Sequence, residues 1–502
     1  MNHSTISSNY SELFNSAVIF HTNRDLSNAI EFYLKVLLEE PNHELSQHHL
    51  SVIYYELGNY TEAIKLNQSL VKLNSNSAGY WNNKGNTLVK LNLFDRAIKS
   101  FSNAIEIKSD EPNFFANRSI ALAEVKNFNQ AMEDLNKSIE LDSSLVIGYA
   151  NRANLHMTLG NHNEALKDIN IAISLDSSNN QLYFNLGNIL EKAGDIDKSI
   201  DVLHQVCLKD KKFTSAFINL AELLNKYGRN LEAINVLEEG YLNNPDSTVM
   251  ALLFGDSLIQ IGQTSEAHKI FEIALLHDPR NEELKYCLSS INGRSQPLKS
   301  PKNYVKRLFN IYASTFDEHL QNTLQYRTPY TIREQLIKFN RKIFDRVLDL
   351  GCGTGLVGVA LDGMYKNIDG VDLSNEMLEK CKSKDIYSEL ILDDIENFLN
   401  NTSMTYDLIV AADVFIYFGS LDLIFHTVSN VLNKNGSFIF SIEYVKGYDF
   451  ELQPTKRYGH TLTYIEKLSL KMGLNIVEIK SELIRKQNEN DINGFTVLLQ
   501  KK

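Results

Sequence analysis

Arg346-Val-Leu-Asp-Leu-Gly-Cys-Gly-Thr-Gly-Leu-Val-Gly358 passes from a short apolar run straight into three alternating glycines, Gly351, Gly353 and Gly355. The apolar part has the composition of a buried strand. Glycine lets the backbone that follows take conformations a Cβ forbids, so a ligand can lie against the main chain where a parallel strand enters a helix. Asp349 stands two residues before the first glycine, and Asp372 ends the next apolar run. That spacing suits a nucleoside, with Asp372 accepting from both ribose hydroxyls. The pattern alone leaves two cofactors open, because a dinucleotide fold also places an acid about 20 residues beyond its glycines.

Two further landmarks follow in order. Ile391-Leu-Asp-Asp-Ile395 sets acids after a third strand, and Tyr406-Asp-Leu-Ile-Val-Ala-Ala-Asp413 sets one at the end of a fourth. With an acid inside the first strand, the set resembles the nucleotide motif of class I S-adenosylmethionine-dependent methyltransferases. The third glycine comes one residue early for a dehydrogenase, although Gly358 could make up the deficit. The resemblance implies that the backbone of Gly351, Cys352, Gly353 and Gly355 approaches the methionine and ribose portions, and that Asp349 orients the methionine amino group through water. It implies further that Asp372 takes the ribose, that Leu373 lies against one adenine face, and that Asp394 with the amide of Ile395 takes the adenine. Asp413 is a candidate for cofactor contact or for acceptor deprotonation. Each acid has a duller alternative, since Asp at a strand end commonly caps the next helix.

From Lys302 onward helices and short apolar strands alternate, the pattern of a parallel sheet covered on both faces. Strands are expected near 347–350, 368–371, 389–392, 408–411 and 437–441, with 475–480 and 495–500 forming a reversed edge. The expected class is an α/β Rossmann-like methyltransferase domain with a seven-stranded, mostly parallel sheet. More narrowly, the segment looks like methyltransferases of the UbiE type that carry amino-terminal tetratricopeptide repeats. The supporting stretches are Phe309-Asn-Ile-Tyr-Ala-Ser-Thr-Phe-Asp-Glu-His319, Leu324-Gln-Tyr-Arg-Thr-Pro329, Val371-Asp-Leu-Ser374, Ala412-Asp-Val414 and Arg457-Tyr-Gly-His460. Relatives of that type carry a lid over the cofactor, and segment 304–320 stands in its place. Tyr312, Phe316, His319, Tyr326 and Arg327 are its polar and aromatic candidates. Tyr312 is taken as a cofactor contact and Arg327 as a fork for the methionine carboxylate, the rival being a surface ion pair. Tyr417, Tyr444, Arg457, Tyr458 and His460 are expected on loops at the carboxyl ends of strands, where ligands of open parallel sheets bind. His460 is the candidate general base, because imidazole titrates near neutrality; the rival is a histidine merely solvated or hydrogen-bonded.

The first half of the chain has a different grammar. A small residue recurs with period 34 at Ala29, Ala63, Ala97, Ala131, Ala165, Ser199, Ala233 and Ala267. That is the tetratricopeptide length, one helix-turn-helix per repeat. About eight units fit end to end from Tyr10, after a disordered stretch over 1–9. A polar-faced capping helix over 282–291 closes a superhelix spanning 10–291. Pro41, Pro245 and Pro279 end second helices, since proline lacks the amide hydrogen a continuing helix needs. Asn83, Asn117, Asn151, Asn185 and Asn219 fall at one position of five successive units and are expected to face the groove. An amide carries both donor and acceptor, so such a ladder can pair with the backbone of an extended peptide. It resembles the ladder in the repeats of the O-linked N-acetylglucosamine transferase; solvated asparagines are the alternative. Arg118 and Arg152 add either a carboxylate contact or a solvated helix face. Segment 292–303, rich in breakers, is expected to be a linker that permits reorientation, and 304–502 to be the methyltransferase domain.

A chain of 502 residues needs more than one core. A net charge of −12 argues against nucleic acid as principal partner. No apolar run is long enough to span a bilayer, and the amino terminus has no charged start before an apolar core, so a cytoplasmic address is expected. Cys207, Cys287, Cys352 and Cys381 lack paired or metal-like spacing, which points to reduced, mostly buried thiols and no metal. Three functions stay open: a methyltransferase of a small metabolite, one that modifies a protein side chain recruited by the repeats, or an interaction scaffold with a nucleotide-sensing or inactive pocket.

Overall fold

The computed structural model describes residues 3–293, 296–312, 327–339, 343–487 and 490–502. Chain contacts divide it into two compact units, Met1–Asn244 and Pro245–Lys502.

The first unit is helical throughout. Its pairs are α1 (His3–Thr22) with α2 (Leu26–Glu39), α3 (Glu44–Glu56) with α4 (Tyr60–Leu73), α5 (Ala78–Lys90) with α6 (Phe94–Ile107), and α7 (Pro112–Glu124) with α8 (Phe128–Leu141). Then come α9 (Val146–Thr158) with α10 (His162–Leu175), α11 (Asn180–Ala193) with α12 (Ile196–Lys209), and α13 (Thr214–Lys226) with α14 (Asn230–Asn243). Within this unit each second helix from α2 to α12 packs on the first helix of the next pair. The 34-residue period is a packing rule: all eight residues of the small-residue series, including Ala267 of the second unit, are fully buried. Gly85 shows why size is limited there, because a Cβ on it would stand 2.5 Å from the Phe101 ring. Helix α1 starts at His3, so residues 3–9, expected to be disordered, are helical; no glycine or proline stands between Ser4 and Tyr10 to stop the helix from extending.

The second unit opens with the eighth helix pair, α15 (Thr248–Gln260) and α16 (Thr264–His277), followed by α17 (Glu282–Asn292). Pro41, Pro245 and Pro279 each stand two residues beyond a helix end. Helix α17 is not the polar-faced cap expected: Leu284, Tyr286, Cys287 and Ser290 are buried. The expected linker is tied down as well. Ser300 N–H donates to the Tyr417 carbonyl at 2.9 Å, and the Gly419 and Ser420 N–H groups both donate to the Leu298 carbonyl. Breaker residues signal a lack of helix; here their backbone groups pair with a turn over 100 residues away. Helix α18 (Lys302–Tyr312) follows, and the helix Thr328–Phe339 leads to the sheet.

All seven expected strands form: β1 (Phe344–Leu350), β2 (Tyr365–Asp372), β3 (Glu389–Leu392), β4 (Tyr406–Ala411), β5 (Leu432–Tyr444), and the late pair β8 (Leu474–Gln487) and β9 (Asn490–Lys501). Two short strands, β6 (Phe450–Leu452) and β7 (Tyr458–His460), make an additional hairpin on the end of β5. Strands β3, β2, β1, β4 and β5 are mutually parallel, and β9 runs antiparallel between β5 and β8. Alternate residues serve two cores, which is why these strands read as continuous apolar runs. Leu348, Ile409, Phe438 and Phe440 enter one cluster with Phe415 and Phe425, while Val347, Leu408, Val410 and Ile439 enter the other with Ile332 and Val357. The four cysteines are free and buried.

Candidate functional site

Strand β1 delivers the chain to the glycines, and all three take positive φ: Gly351 at 67°, Gly353 at 53° and Gly355 at 89°. An L side chain is strained there. At Gly351 space is also closed, since a Cβ would stand 2.6 Å from Val414 Cγ2. Cys352, between them, is buried, with its sulfur turned toward Gly370, so only its backbone faces a ligand.

Register places the acids together. Asp349 pairs with Gly370 on β2, two residues short of Asp372. The Asp372 carboxylate accepts from Gly353 N–H at 2.9 Å and from Ser374 N–H at 2.8 Å. Burial pushes its pKa up, and those backbone donors pull it partly back. Two oxygens offer about four acceptor positions, and the Ser374, Gly353 and Leu373 amides are the backbone donors that face them. Asp349 is fully buried; its Oδ2 accepts from the Tyr387 hydroxyl at 2.6 Å and its Oδ1 has no partner. Burial, with a smaller push from Asp372, raises its pKa to about 7 against the bond from Tyr387. A buried acceptor without a partner is costly, and Oδ1 has the capacity to accept a further donor.

Tyr387 was absent from the sequence reading and organises the site. Its hydroxyl receives Gly358 N–H at 3.1 Å while donating to Asp349, and its ring lies where a Cβ on Gly355, Gly358 or Gly370 would go. Asn310 of α18 was also missed as a site residue. Its Oδ1 accepts from Ser374 Oγ at 2.8 Å.

Asp394 caps the helix Ile395–Asn401, its Oδ1 accepting from Asn397 N–H at 3.2 Å, with Lys302 at 3.5 Å from Oδ2. Capping is thus one of its roles; Ile395 opens that helix and Leu373 is half-buried beside Asp372. Asp413, two residues beyond β4, takes a left-handed conformation, φ 58°, with Ser441 Oγ accepting its N–H at 2.8 Å. Strain of this kind gathers at functional sites.

Other expectations are corrected. Arg327 is 74% exposed and reaches Glu334 at 3.9 Å, the surface-pair alternative. Tyr458 and His460 lie in β7, not on a loop, and Tyr458 is buried with its hydroxyl on the Pro297 carbonyl. Tyr444 closes β5, and Tyr417 is buried in a 3-10 turn. His460 is fully buried; its Nε2 lies 3.1 Å from the Gly419 carbonyl, and its ring stacks on Tyr464. Burial depresses its pKa to about 4, so it is neutral and sealed, unlike a solvent-fed base. The side chain of Tyr312, and Phe316, His319 and Tyr326, lie outside the described residues.

In the repeats the five ladder asparagines are all half-buried. Asn117 donates to Asn82 Oδ1 at 2.9 Å, Asn151 to the Ala116 carbonyl at 3.3 Å and Asn219 to Asn188 Oδ1 at 3.1 Å, each on the preceding unit. Asn185 accepts from Gln181 within its own helix. Arg118 and Arg152 solvate nothing: each forms a two-point bond with an acid of its own unit, Asp134 and Asp168, at 2.7–2.8 Å.

Residues 347–436 match the family described as methyltransferase domain, residues 151–207 that of the tetratricopeptide repeat, and residues 22–104 that of the anaphase-promoting complex, cyclosome, subunit 3. The chain is 32% identical over 146 residues to a malonyl-[acyl-carrier protein] O-methyltransferase of Priestia megaterium, covering 28% of this chain and 51% of that one. It is 25% identical over 133 residues to the probable S-adenosylmethionine-dependent methyltransferase CRG1 of Saccharomyces cerevisiae, covering 25% and 45%. The chain spans about half the length of the curated relatives it matches. A tetratricopeptide repeat protein from Parabacteroides merdae is a structural neighbour at 16% identity and TM-score 0.43, over 50% of this chain and 98% of that one. By the family matches, the chain carries tetratricopeptide repeats followed by a methyltransferase domain. Among the described residues no helix is long and apolar enough to cross a membrane, and no cluster of three or more His, Cys, Asp or Glu could hold a metal.

Proposed function

We propose that the chain is an S-adenosylmethionine-dependent methyltransferase whose repeats bind a protein partner or substrate. The observation that carries this is the joint between Gly353 and Asp372: a left-handed glycine turn donates to a buried carboxylate at the end of β2. When bound, S-adenosylmethionine supplies a methyl group already activated by positive sulfur. The protein's task is then alignment and exclusion of water.

Each residue has a part in that alignment. Gly351, Gly353 and Gly355 offer backbone, and the Cys352 side chain turned inward keeps the floor clear. Asp372 accepts from the ribose hydroxyls. The unpartnered Asp349 Oδ1 accepts from the amino group through water. Leu373, Asp394 and the Ile395 amide flank the adenine. Asp413, at the carboxyl end of β4, faces the transfer itself. Arg327 and His460 are left out, the first for its exposure and the second for its burial.

Calorimetry of the full-length chain with S-adenosylmethionine and with NAD tests the reading. The methyl donor should bind, and Asp372→Ala should weaken it roughly a hundredfold, as expected for losing two hydrogen bonds to a charged group. Binding of NAD alone would overturn it.

A further inference from the structure

The β6–β7 hairpin is tied to the last repeat, and helix α18 to α17, the helix that follows that repeat. Lys456, in the hairpin turn, takes a left-handed conformation, φ 59°, and is 6% exposed. Its ammonium pairs with Asp256 of α15 and lies 5.4 Å from the centre of the Tyr304 ring of α18. The Tyr286 hydroxyl of α17 donates to the Lys456 carbonyl at 2.6 Å and meets Ser300 Oγ at 2.7 Å. One turn along α18 from Tyr304, Arg307 pairs with Glu283 of α17. One turn further stands Asn310, bonded to Ser374, whose own N–H holds the Asp372 carboxylate.

A buried lysine needs a partner to be tolerated, and a non-glycine residue held at positive φ needs surroundings that over-determine it. Asp256 of the last repeat supplies the partner, and Tyr286 of α17 holds the backbone. Tyr304, Arg307 and Asn310 are spaced by three, so one side of α18 runs from α17 to the carboxylate that grips the nucleoside.

We propose that Arg307 and Asn310 are positioning residues of the cofactor site and that α18 is a strut: α17, through Glu283, and the last repeat, through Asp256, set how firmly Ser374 and Asp372 are held. Nucleoside affinity is thereby sensitive to whatever shifts α15–α17. This rests on the cofactor reading above.

The test uses the full-length chain and S-adenosylhomocysteine as probe, with affinity by calorimetry and folding by circular dichroism. Glu283→Arg and Arg307→Glu should each weaken binding about tenfold, a typical coupling between sites. Combined, the two reversals should restore most of the affinity, which a merely structural loss would not do. Asn310→Ala should weaken binding similarly, and adding Glu283→Gln to it should cause little more. Should the charge-reversed singles fail to fold, Glu283→Gln and Asn310→Ala decide. Folded Glu283→Gln and Asn310→Ala variants that bind within about twofold of wild type overturn the strut. Failure of the wild-type chain to bind the probe sinks the cofactor reading, and this inference with it.

Discussion

In the repeats one structural decision is made eight times; in the sheet domain each decision is made once. A fully buried small residue closes every helix pair from Ala29 to Ala267, and neighbouring pairs share the consequences of any one of them. Asp349, Asp372 and Tyr387 have no such duplicates. The difference teaches where damage stays local and where it is fatal to function.

Glycine makes the sharpest comparison. Gly351→Ala meets both a left-handed φ of 67°, strained for a residue with a Cβ, and Val414 at 2.6 Å. It should cost about 3 kcal/mol or more in urea denaturation and abolish nucleoside binding. Gly85→Ala meets only the Phe101 ring, at 2.5 Å, within a helix. It should cost about 2 kcal/mol and leave nucleoside affinity unchanged. Equal loss of binding in both variants would break the comparison.

Acid sharpens it. His460 has its pKa depressed from 6.5 to about 4, so its stabilising share is complete above pH 6.5 and is lost as pH falls toward 4. The swing is about 3 kcal/mol. Asp349 runs the other way: raised to about 7, it favours the folded state at low pH and loses that share as pH rises from 4 through 7. The two windows overlap and their slopes oppose, so between about pH 4 and 7 stability should fall more steeply with rising pH in His460→Gln than in wild type, and should rise more steeply in Asp349→Asn. Superimposable curves for wild type and His460→Gln would mean the histidine is not buried neutral.

What was legible in the sequence follows the same division. The repeats could be read because periodicity is a local signal, and the five parallel strands because apolar runs mark burial on both faces. The glycine cradle and Asp372 were visible through their spacing along one strand-turn-helix. Tyr387 was not, because it reaches Asp349 across the fold from a segment with no motif of its own. The β6–β7 hairpin was hidden for a similar reason: strands of three residues leave no period. His460 is expected on a loop because it follows the fifth strand, at the sheet edge where ligands bind. In the fold Gly459 is what lets β7 lie close to its neighbours, a Cβ there standing 2.3 Å from Val445. The hinge was misjudged because composition records a missing helix and says nothing of distant backbone partners.

The smallest expected effect on stability belongs to the asparagine ladder. Asn117 donates one neutral, half-buried hydrogen bond to Asn82, and its loss should cost no more than about 1 kcal/mol. Breaking the neighbouring buried pair by Asp134→Ala should cost more, because the Arg118 side chain, 14% exposed, would be left without its carboxylate. If the ladder exists to bind an extended segment, stability and binding must come apart at these positions. The triple change Asn117→Ala, Asn151→Ala and Asn185→Ala should shift melting by only a few degrees yet remove the proteins that the full-length chain retains from cell extract. Partners retained undiminished would show that the amides only stitch one unit to the next, as their bonds to Asn82 and the Ala116 carbonyl already do.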